Sequence, residues 1–336
     1  MAERGLLDFI INRIPGLAPG ERLKLTEKFH SEDEFRKSAK VDIEMCIRRP
    51  LRRNWTMETV CALAEGDFRA AVQRGIRWTS WNDGDYPPLL REIFDPPQLL
   101  YYRGKLPDPE KPLIAVVGTR HPSAGAQAQA FEIARELGRA GVAVVSGLAL
   151  GIDAAGHRGN LEAAAPTVAV LGCGADMVYP QSNRPLARRI LEVGGAIISE
   201  YPPGTEAFRW NFPARNRIIS ALARGVLVVE APEHSGALIT ADFAMDQGRD
   251  LWTASAGIAS GPSGAGTRKL AEEGARIIHN AAEILSEWKI EKDRRDEEEA
   301  GLPPGQALAR SLAKQLNIEF DSQAGFIPGG LPPVAK

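Results

Sequence analysis

The sequence predicts an α/β protein whose main domain is a doubly wound, mostly parallel sheet. Apolar runs of strand length alternate with helical segments after the proline-rich connector 105–112, and the runs are largely continuous rather than alternating with polar residues. Parallel strands are covered by helices on both faces, so a continuous apolar run is typical of them. The runs are Leu113 to Val117, Val142 to Val145, Thr167 to Leu171, Ala196 to Ile198, Val226 to Val229, Leu251 to Ala254 and Ala275 to Ile278.

Residues 1–81 are predicted to form a small helical domain, because their apolar residues recur at the spacing of short helices. Leu6, Phe9 and Ile10 belong to one apolar cluster, and a turn rich in proline and glycine follows at 14–20. Two short helices around a glycine turn form either a helix-hairpin-helix, whose amides can hold a DNA phosphate, or an ordinary helical hairpin. The pattern leaves both interpretations open.

The α/β domain is expected over 82–287. Its start is marked by the turn-forming segment 82–88 and by a strand candidate, Leu99 to Tyr102. After it, residues 288–336 are expected to form a charged linker and a mostly flexible tail, because a charge run at 289–299 precedes a glycine- and proline-rich end. A weak helical pattern lies at Leu308 to Leu316.

The charge balance excludes a globally basic nucleic-acid binder. The 336 residues include 41 lysines and arginines and 43 aspartates and glutamates, so a polyanion has to be bound by a local patch. The three cysteines, Cys46, Cys61 and Cys173, are far apart, which fits a reducing compartment and offers neither a disulfide framework nor a zinc spacing.

The hydropathy pattern favours a cytoplasmic protein without a membrane contact. The amino-terminal residues lack the long apolar core of a signal peptide, and no stretch approaches the roughly 20 apolar residues of a membrane span. No metal site is expected either.

Small or polar residues follow nearly every predicted strand, as in Gly118-Thr119-Arg120 and Ser146-Gly147. The carboxyl ends of parallel strands meet at one edge of the sheet, where ligands bind, and glycine lets backbone amides approach a phosphate. A phosphate-bearing ligand is therefore predicted. The G-x-G-x-x-G fingerprint and the G-x-x-x-x-G-K-[ST] loop are both missing, so no nucleotide cofactor is expected and the dehydrogenase and ATPase classes lose support.

The segment from Phe208 to Arg217 is the densest cluster of candidate functional residues. It contains three arginines and three aromatic residues, the composition of a groove for single-stranded nucleic acid. The same arginines could instead be structural, paired with buried carboxylates. From this segment alone, the two interpretations are equally supported.

Asp153 and His157 form a second candidate, four residues apart on one face of a predicted helix. Such a pair can do acid–base chemistry or can be a structural pair. The structural interpretation is favoured, because the chain has no G-x-S-x-G nucleophile motif to accompany them.

Taken together and in order, eight motifs closely resemble the DNA-processing protein A (DprA/Smf) family over about residues 84–285. The motifs are Tyr86-Pro87, Ala115 to Arg120, Ser146 to Asp153 with His157, Ala169 to Gly174 with Tyr179-Pro180 and Asn183, Ser199 to Pro202, Phe212 to Ile219, Val229 to Ala231, and Ser235 to Thr240. The helical amino-terminal segment also resembles the sterile-alpha-motif-like domain of that family.

The resemblance implies an extended Rossmann-like fold and a cytoplasmic, non-enzymatic homodimer. Such a protein binds single-stranded DNA and helps to load the RecA recombinase during natural transformation. As a departure from the family, the carboxyl-terminal winged-helix domain of many members is expected to be reduced or absent here. The expected DNA-binding residues are Gly118, Thr119, Arg120, Ser146, Gly147, Arg209, Phe212, Arg215, Asn216, Arg217, Ser235 and Gly236.

Within this set, Arg120 and Arg209 are expected to hold successive phosphates, and Phe212 to stack on a base. The Ser146-Gly147 amides are expected to approach the DNA backbone. Arg215 and Arg217 either contact DNA or hold their loop against Glu230, and the resemblance does not decide between these roles.

The chain departs from the family after the sixth strand of the α/β domain, where Ala256-Gly257 replaces a usual Pro-Gly pair. The segment from Pro262 to Thr267 is close to the P-G-G-x-G-T loop of the LOG nucleotide phosphoribohydrolases, which makes such an enzyme the alternative function. Leu270 occupies the place of that motif's glutamate, so the expected acid–base group is missing. A purely structural scaffold is a third interpretation.

Overall fold

The computed structural model describes residues 6–290, together with the backbone of 320–321 and 325–326. Internal contacts divide the chain into two units, Met1–Trp288 and Lys289–Lys336. In the second unit, two short strands, β10 (Phe320–Asp321) and β11 (Gly325–Phe326), pair in antiparallel fashion. The predicted helical pattern at Leu308 to Leu316 and most of the charge run lie outside the described residues.

The first unit is built around a nine-stranded sheet in the order β1-β2-β6-β5-β4-β3-β7-β8-β9. The pairs β1–β2 and β2–β6 are antiparallel, and every other neighbouring pair is parallel. The strands are β1 (Arg77–Ser80), β2 (Leu99–Gly104), β3 (Leu113–Val117), β4 (Ala143–Ser146), β5 (Thr167–Val170), β6 (Ala196–Ser199), β7 (Gly225–Val228), β8 (Asp250–Ala254) and β9 (Arg276–Ile278).

The α/β class and the mostly parallel sheet are therefore confirmed. The predicted run Leu113 to Val117 coincides with β3, and each of the other predicted runs overlaps a strand, with end shifts of one or two residues. The expectation of short helices over residues 1 to about 80 missed β1, which pairs with β2 from Ser80↔Leu99 to Arg77↔Tyr102. The proposed division at residue 81 stays a prediction.

Helices precede the sheet and cover it. In chain order they are α1 (Leu7–Arg13), α2 (Pro19–Lys28), α3 (Glu32–Lys37), α4 (Lys40–Ile47), α5 (Met57–Gln73), α6 (Pro88–Arg91), α7 (Ala124–Arg139), α8 (Ile152–Glu162), α9 (Arg184–Glu192), α10 (Asn211–Leu222), α11 (Gly236–Asp246), α12 (Ser255–Ala259), α13 (Ala265–Glu272) and α14 (Ala281–Trp288). The helices α1 to α5 share a core with Leu99 and Tyr101 of β2.

The two faces of the sheet pack against different helices. In β5, Val168 and Val170 contribute to the core that contains α10 and α11, whereas Ala169 contributes to the core that contains α8 and α9. Side chains alternate between faces along a strand, so a strand buried on both sides has to be apolar at every position. This explains the continuous apolar runs in the sequence.

The strand order creates a crevice between neighbouring strands. From β3 the chain adds β4, β5 and β6 on one side, and then crosses back to place β7, β8 and β9 on the other. Between β3 and β7 the connections leave in opposite directions, which opens a crevice beyond the carboxyl ends of these strands. Ligands of doubly wound folds bind at such a point.

Asp153 and His157 on α8 are both buried and have separate partners. The Asp153 Oδ2 atom accepts hydrogen bonds from the amides of Gly147 (3.1 Å) and Ala149 (3.3 Å). The Nδ1 atom of His157 lies 2.8 Å from the Thr167 hydroxyl oxygen. Each side chain thus stabilises a strand end or a loop, which favours the structural interpretation, although the two do not bond to each other.

Burial shifts the pKa of both groups. It raises the pKa of Asp153, although the positive charge of Arg215 opposes this change. It lowers the pKa of His157 to about 3, with a smaller contribution from the same arginine. His157 is therefore neutral in the folded protein at any pH well above 3.

We predict that His157 makes the protein less stable as the pH falls below 6.5, the ordinary pKa of histidine. The unfolded chain takes up a proton there while the folded chain does not, so this contribution to stability is complete above pH 6.5 and is lost progressively toward pH 3. Replacing His157 with Gln should flatten the plot of unfolding free energy against pH by about 1.4 kcal/mol per pH unit in this window.

Urea unfolding at a series of pH values measures this slope. The His234→Gln variant is the matched control, because it removes an exposed imidazole that is hydrated in both states. A His157→Gln variant with the slope of the parent protein would contradict the prediction.

Candidate functional site

The crevice at the carboxyl edge of the sheet has a volume of about 530 Å³. Most of the residues predicted for the site line it, although they come from three separate segments of the chain. The predicted residues that line the crevice are Gly118, Thr119, Arg120, Arg209, Phe212, Arg215, Asn216, Ser235 and Gly236. Ser146, Gly147 and Arg217 are the predicted residues that do not line it.

The loop after β3 is fixed by backbone hydrogen bonds on both sides. The amide of Thr119 donates to the carbonyl of Glu230 (2.7 Å), and the carbonyl of Thr119 accepts from the amide of Ile152 (3.2 Å). A Cβ atom at Gly118 would lie 2.6 Å from the Ile152 side chain and 2.8 Å from the Glu230 carbonyl oxygen. Close packing, and not only phosphate access, thus requires glycine at position 118. The loop fixed in this way leaves the Arg120 side chain exposed to solvent.

Arg215 is a buried cation, with 5% of its surface exposed. Its Nη1 atom donates to the carbonyls of Gly147 (2.9 Å) and Val170, which lie at the carboxyl ends of β4 and β5. A Cβ atom at Gly147 would lie 2.2 Å from a guanidinium nitrogen, so glycine is needed to admit this side chain. Burial lowers the pKa of Arg215, and the nearby charge of Asp153 acts in the opposite direction.

Arg217 forms a bidentate ion pair with Glu200, in which both nitrogen–oxygen distances are 2.7 Å. Its Nε atom also donates to the carbonyl of Asp95 (3.0 Å). Burial opposes the charge of Arg217, but the hydrogen bond and the attraction of Glu200 raise its pKa overall. The suggestion that Arg215 and Arg217 hold Glu230 is wrong, because the Glu230 carboxylate accepts instead from Ser123 and Ser260.

The other buried members of the predicted site also use their polar groups internally. The Ser146 hydroxyl donates to the carbonyl of Val116 (2.6 Å), and the Gly147 amide donates to Asp153. Asn216 accepts from Arg215 (3.1 Å) and donates to the carbonyl of Gly236 (3.1 Å), which links α10 to the start of α11. These groups build the crevice, and their donors are already occupied.

Ser235 caps the amino terminus of α11, since its hydroxyl oxygen accepts a hydrogen bond from the amide of Ala237 (3.2 Å). Ser235 is half-buried and Gly236 is exposed at the crevice. The amino terminus of α11 therefore contributes to the lining both the capping side chain of Ser235 and the exposed Gly236.

Phe212 lies beside two guanidinium groups. The central carbons of Arg120 and Arg215 are each 5.9 Å from the centre of its ring, and the Tyr179 ring centre is 5.5 Å away. Cation–π attraction and ring packing hold Phe212 in place at the start of α10. Tyr179 was assigned no role in the site from sequence, although the Tyr179-Pro180 motif was the signal that could have identified it.

Arg120 and Arg209 differ from the buried arginines. Both are exposed, and neither has a hydrogen bond or an ion pair within residues 6–290. The first residue outside α10, Trp210, gives the helix no side-chain cap. Helix amino termini and free guanidinium groups both attract phosphate. The crevice can therefore hold an anionic backbone next to an aromatic ring.

The rim that departs from the family pattern is packed tightly. A Cβ atom at Gly257 would lie 1.8 Å from the Val229 carbonyl oxygen, and the Thr267 hydroxyl accepts from the Ala231 amide (2.8 Å). Leu270, at the place of the phosphoribohydrolase glutamate, is buried in the core with 5% exposure. A leucine side chain cannot act as an acid or base, so the glutamate's role is not filled by residue 270.

Within the described part of the chain, two features are absent. No cluster of three or more His, Cys, Asp or Glu side chains there could hold a metal ion. No helix there is long and apolar enough to cross a bilayer.

Comparison with known proteins identifies the family. The family model for DNA recombination-mediator protein A matches residues 77–289. The chain belongs to this family. The match begins at β1 and ends after α14, so it includes the whole nine-stranded sheet and the crevice. The resemblance to the DprA/Smf proteins stated from the motifs is confirmed.

Individual relatives agree with the family assignment. Protein Smf of Synechocystis is 42% identical over 217 residues, which are 63% of this chain and 52% of that protein, so the chain matches about half the length of this relative. The structure of DprA from Streptococcus pneumoniae is similar with a TM-score of 0.71 and 32% identity, over 85% of this chain and 99% of that one. A structure of Helicobacter pylori DprA is similar with a TM-score of 0.56 and 27% identity, over 64% of this chain and 97% of that one.

We predict that the ion pair of Arg217 with Glu200 contributes to stability. Replacing Arg217 with Ala leaves the Glu200 carboxylate without its buried partner, which should lower the free energy of unfolding by about 3 kcal/mol. Arg188→Ala is the matched control, because Arg188 pairs with Glu192 on the surface with 83% of its side chain exposed, and such pairs contribute less than about 1 kcal/mol. Chemical denaturation that ranks the two variants equally would contradict the prediction.

Proposed function

We propose that the crevice binds single-stranded DNA. The observation that carries the proposal is the presence of two exposed guanidinium groups, Arg120 and Arg209, beside the partly exposed ring of Phe212. In this arrangement the arginines hold successive phosphates and the phenylalanine stacks on a base. A ring at the wall of a crevice can be reached by an unpaired base, whereas the bases of a duplex are already stacked on each other.

The other predicted residues support this site in two ways. Arg215, Arg217 and Asn216 hold α10 in place and orient Phe212. Residues of the amino-terminal turns of α10 and α11 line the crevice, and the positive dipole ends of these helices attract a phosphate. The formal net charge of −2 means that attraction for DNA comes from this local patch, because the whole molecule supplies none.

The relatives support the same ligand. The H. pylori structure, 27% identical to this chain, concerns the single-stranded DNA binding mode of DNA processing protein A. The family is described as a recombination mediator. We propose accordingly that this protein is a cytoplasmic homodimer that protects incoming single strands and helps to load a RecA-type recombinase in natural transformation.

We further propose that the protein is not an enzyme. The buried Leu270 in place of an acid–base glutamate supports this, as does the engagement of Asp153 by two backbone amides. Both observations disfavour the nucleotide phosphoribohydrolase alternative.

We expect binding to single strands in preference to duplex, with an affinity that falls as salt rises because counterions are released. Replacing Arg120 or Arg209 with Ala should weaken binding to oligo-dT, and each lost phosphate contact should make the slope of log affinity against log salt shallower by about 0.7. Fluorescence anisotropy over a salt series measures both quantities.

Arg139→Ala is the matched control for these variants. Arg139 is also exposed, but it ends α7, and the helix runs from the crevice edge of the sheet to the opposite edge. This variant should bind like the parent protein. Equal affinity of the parent for duplex and single strand would contradict the proposed function, and normal binding by both Arg120→Ala and Arg209→Ala would contradict the site.

We expect no release of base when the protein is incubated with nucleoside monophosphates, because no acid–base group lies at the Leu270 position. Chromatography of the reaction mixture detects free base directly. Release that rises with protein concentration would favour the phosphoribohydrolase over the DNA-binding function.

A further inference from the structure

Two exposed aromatic rings stack on each other just before α10. The rings of Phe208 and Trp210 have centres 4.9 Å apart and are parallel within 5°. Phe208 is 41% exposed and Trp210 is 64% exposed. Trp210 is the only exposed tryptophan of the six in the chain, so this stack is unusual for the molecule and is not required by its core.

The stack is held at the mouth of the crevice. The residue between the two rings, Arg209, lines the crevice, as does Ala207 on the other side of Phe208. The amide of Asn211 donates to the carbonyl of Phe208 (3.0 Å), and the Asn211 side chain donates to the carbonyl of Gly172 (2.9 Å). The backbone of the segment is therefore anchored to the sheet edge beside the stacked rings.

We infer that Phe208 and Trp210 form a second base-stacking platform, outside the crevice, for a nucleotide adjacent to the one that stacks on Phe212. This inference rests on the proposed function. It extends the DNA track from the crevice onto the surface, with the guanidinium of Arg209 holding the phosphate between the two stacked bases.

The chemistry of the segment favours a nucleobase as the occupant. A purine or pyrimidine is a flat ring that can add to the outer face of a parallel ring pair, and such stacking tolerates any base. The cation next to the stack has no anionic partner within residues 6–290, and a nucleotide supplies a ring and an anion at a short, fixed spacing. An apolar protein surface would leave Arg209 without a partner.

The test compares a short oligo-dT that fills only the crevice with a longer one that extends beyond it. Trp210→Ala should weaken binding of the longer oligonucleotide by about 5- to 150-fold and leave the short one unchanged. Phe208→Ala should act in the same direction, whereas Phe212→Ala should weaken both. The salt slope should not change in Trp210→Ala, because no phosphate contact is lost.

A second readout is tryptophan emission. A base stacked on Trp210 should quench it when the longer oligonucleotide binds, and Trp210→Phe should remove this part of the quench while keeping most of the affinity. Phe94→Ala is the matched control for Phe208→Ala, because Phe94 is 98% exposed and lines a different cavity. It should change neither readout.

The outcomes separate this inference from the proposed function. If Phe212→Ala weakens binding but Trp210→Ala changes neither the affinity for the longer oligonucleotide nor the quench, the platform does not exist and the crevice site stands. If Trp210→Ala changes only self-association in sedimentation, the stack is a protein contact and the inference is overturned. If the parent protein binds no oligonucleotide, both proposals fail.

Discussion

A single buried guanidinium group, that of Arg215, joins the parts of the molecule that form the crevice. It donates to carbonyl groups after β4 and at the end of β5, and it lies beside the ring of Phe212. A buried charge is costly unless it is hydrogen-bonded and balanced. Here the balance comes from Asp153, which is itself fixed by the loop amides after β4. Two strand ends, one loop and one helix therefore have to keep a single arrangement for this cation to be satisfied.

This arrangement separates the buried cations from the exposed ones that the proposed function uses. Arg215 and Arg217 have their charges bound within the protein, so they orient side chains and add little to the field outside. Under the proposed function, Arg120 and Arg209 keep theirs for the DNA. Because their loops are anchored by Thr119 and Asn211, the free guanidinium groups lose little backbone freedom when they bind. The internal interactions of Arg215 and Arg217 thus fix the walls of the crevice and leave its volume free.

The sheet could be predicted from sequence because its signal is local. Continuous apolar runs identified the parallel strands, and the strand ends then located the crevice. The antiparallel strand β1 was missed, since its four residues have a partner, Leu99 to Tyr102, that is some twenty residues away and beyond the expected boundary. Much of the crevice lining was also predicted, because the family motifs include the loop after β3 and the residues at the starts of α10 and α11.

The roles within the segment from Phe208 to Arg217 could not be read from its composition, because they depend on where α10 begins. Residues after Asn211 are helical, and this periodicity turns Arg215 toward the strand ends while Arg217 reaches Glu200. Residues before it lie outside the helix, where Arg209 and Trp210 meet solvent. The partners of the buried arginines, such as Val170 and Glu200, are distant in sequence, so no local sequence pattern predicts these contacts. The start of one helix thus divides a single basic, aromatic segment into a buried scaffold and a solvent-exposed surface.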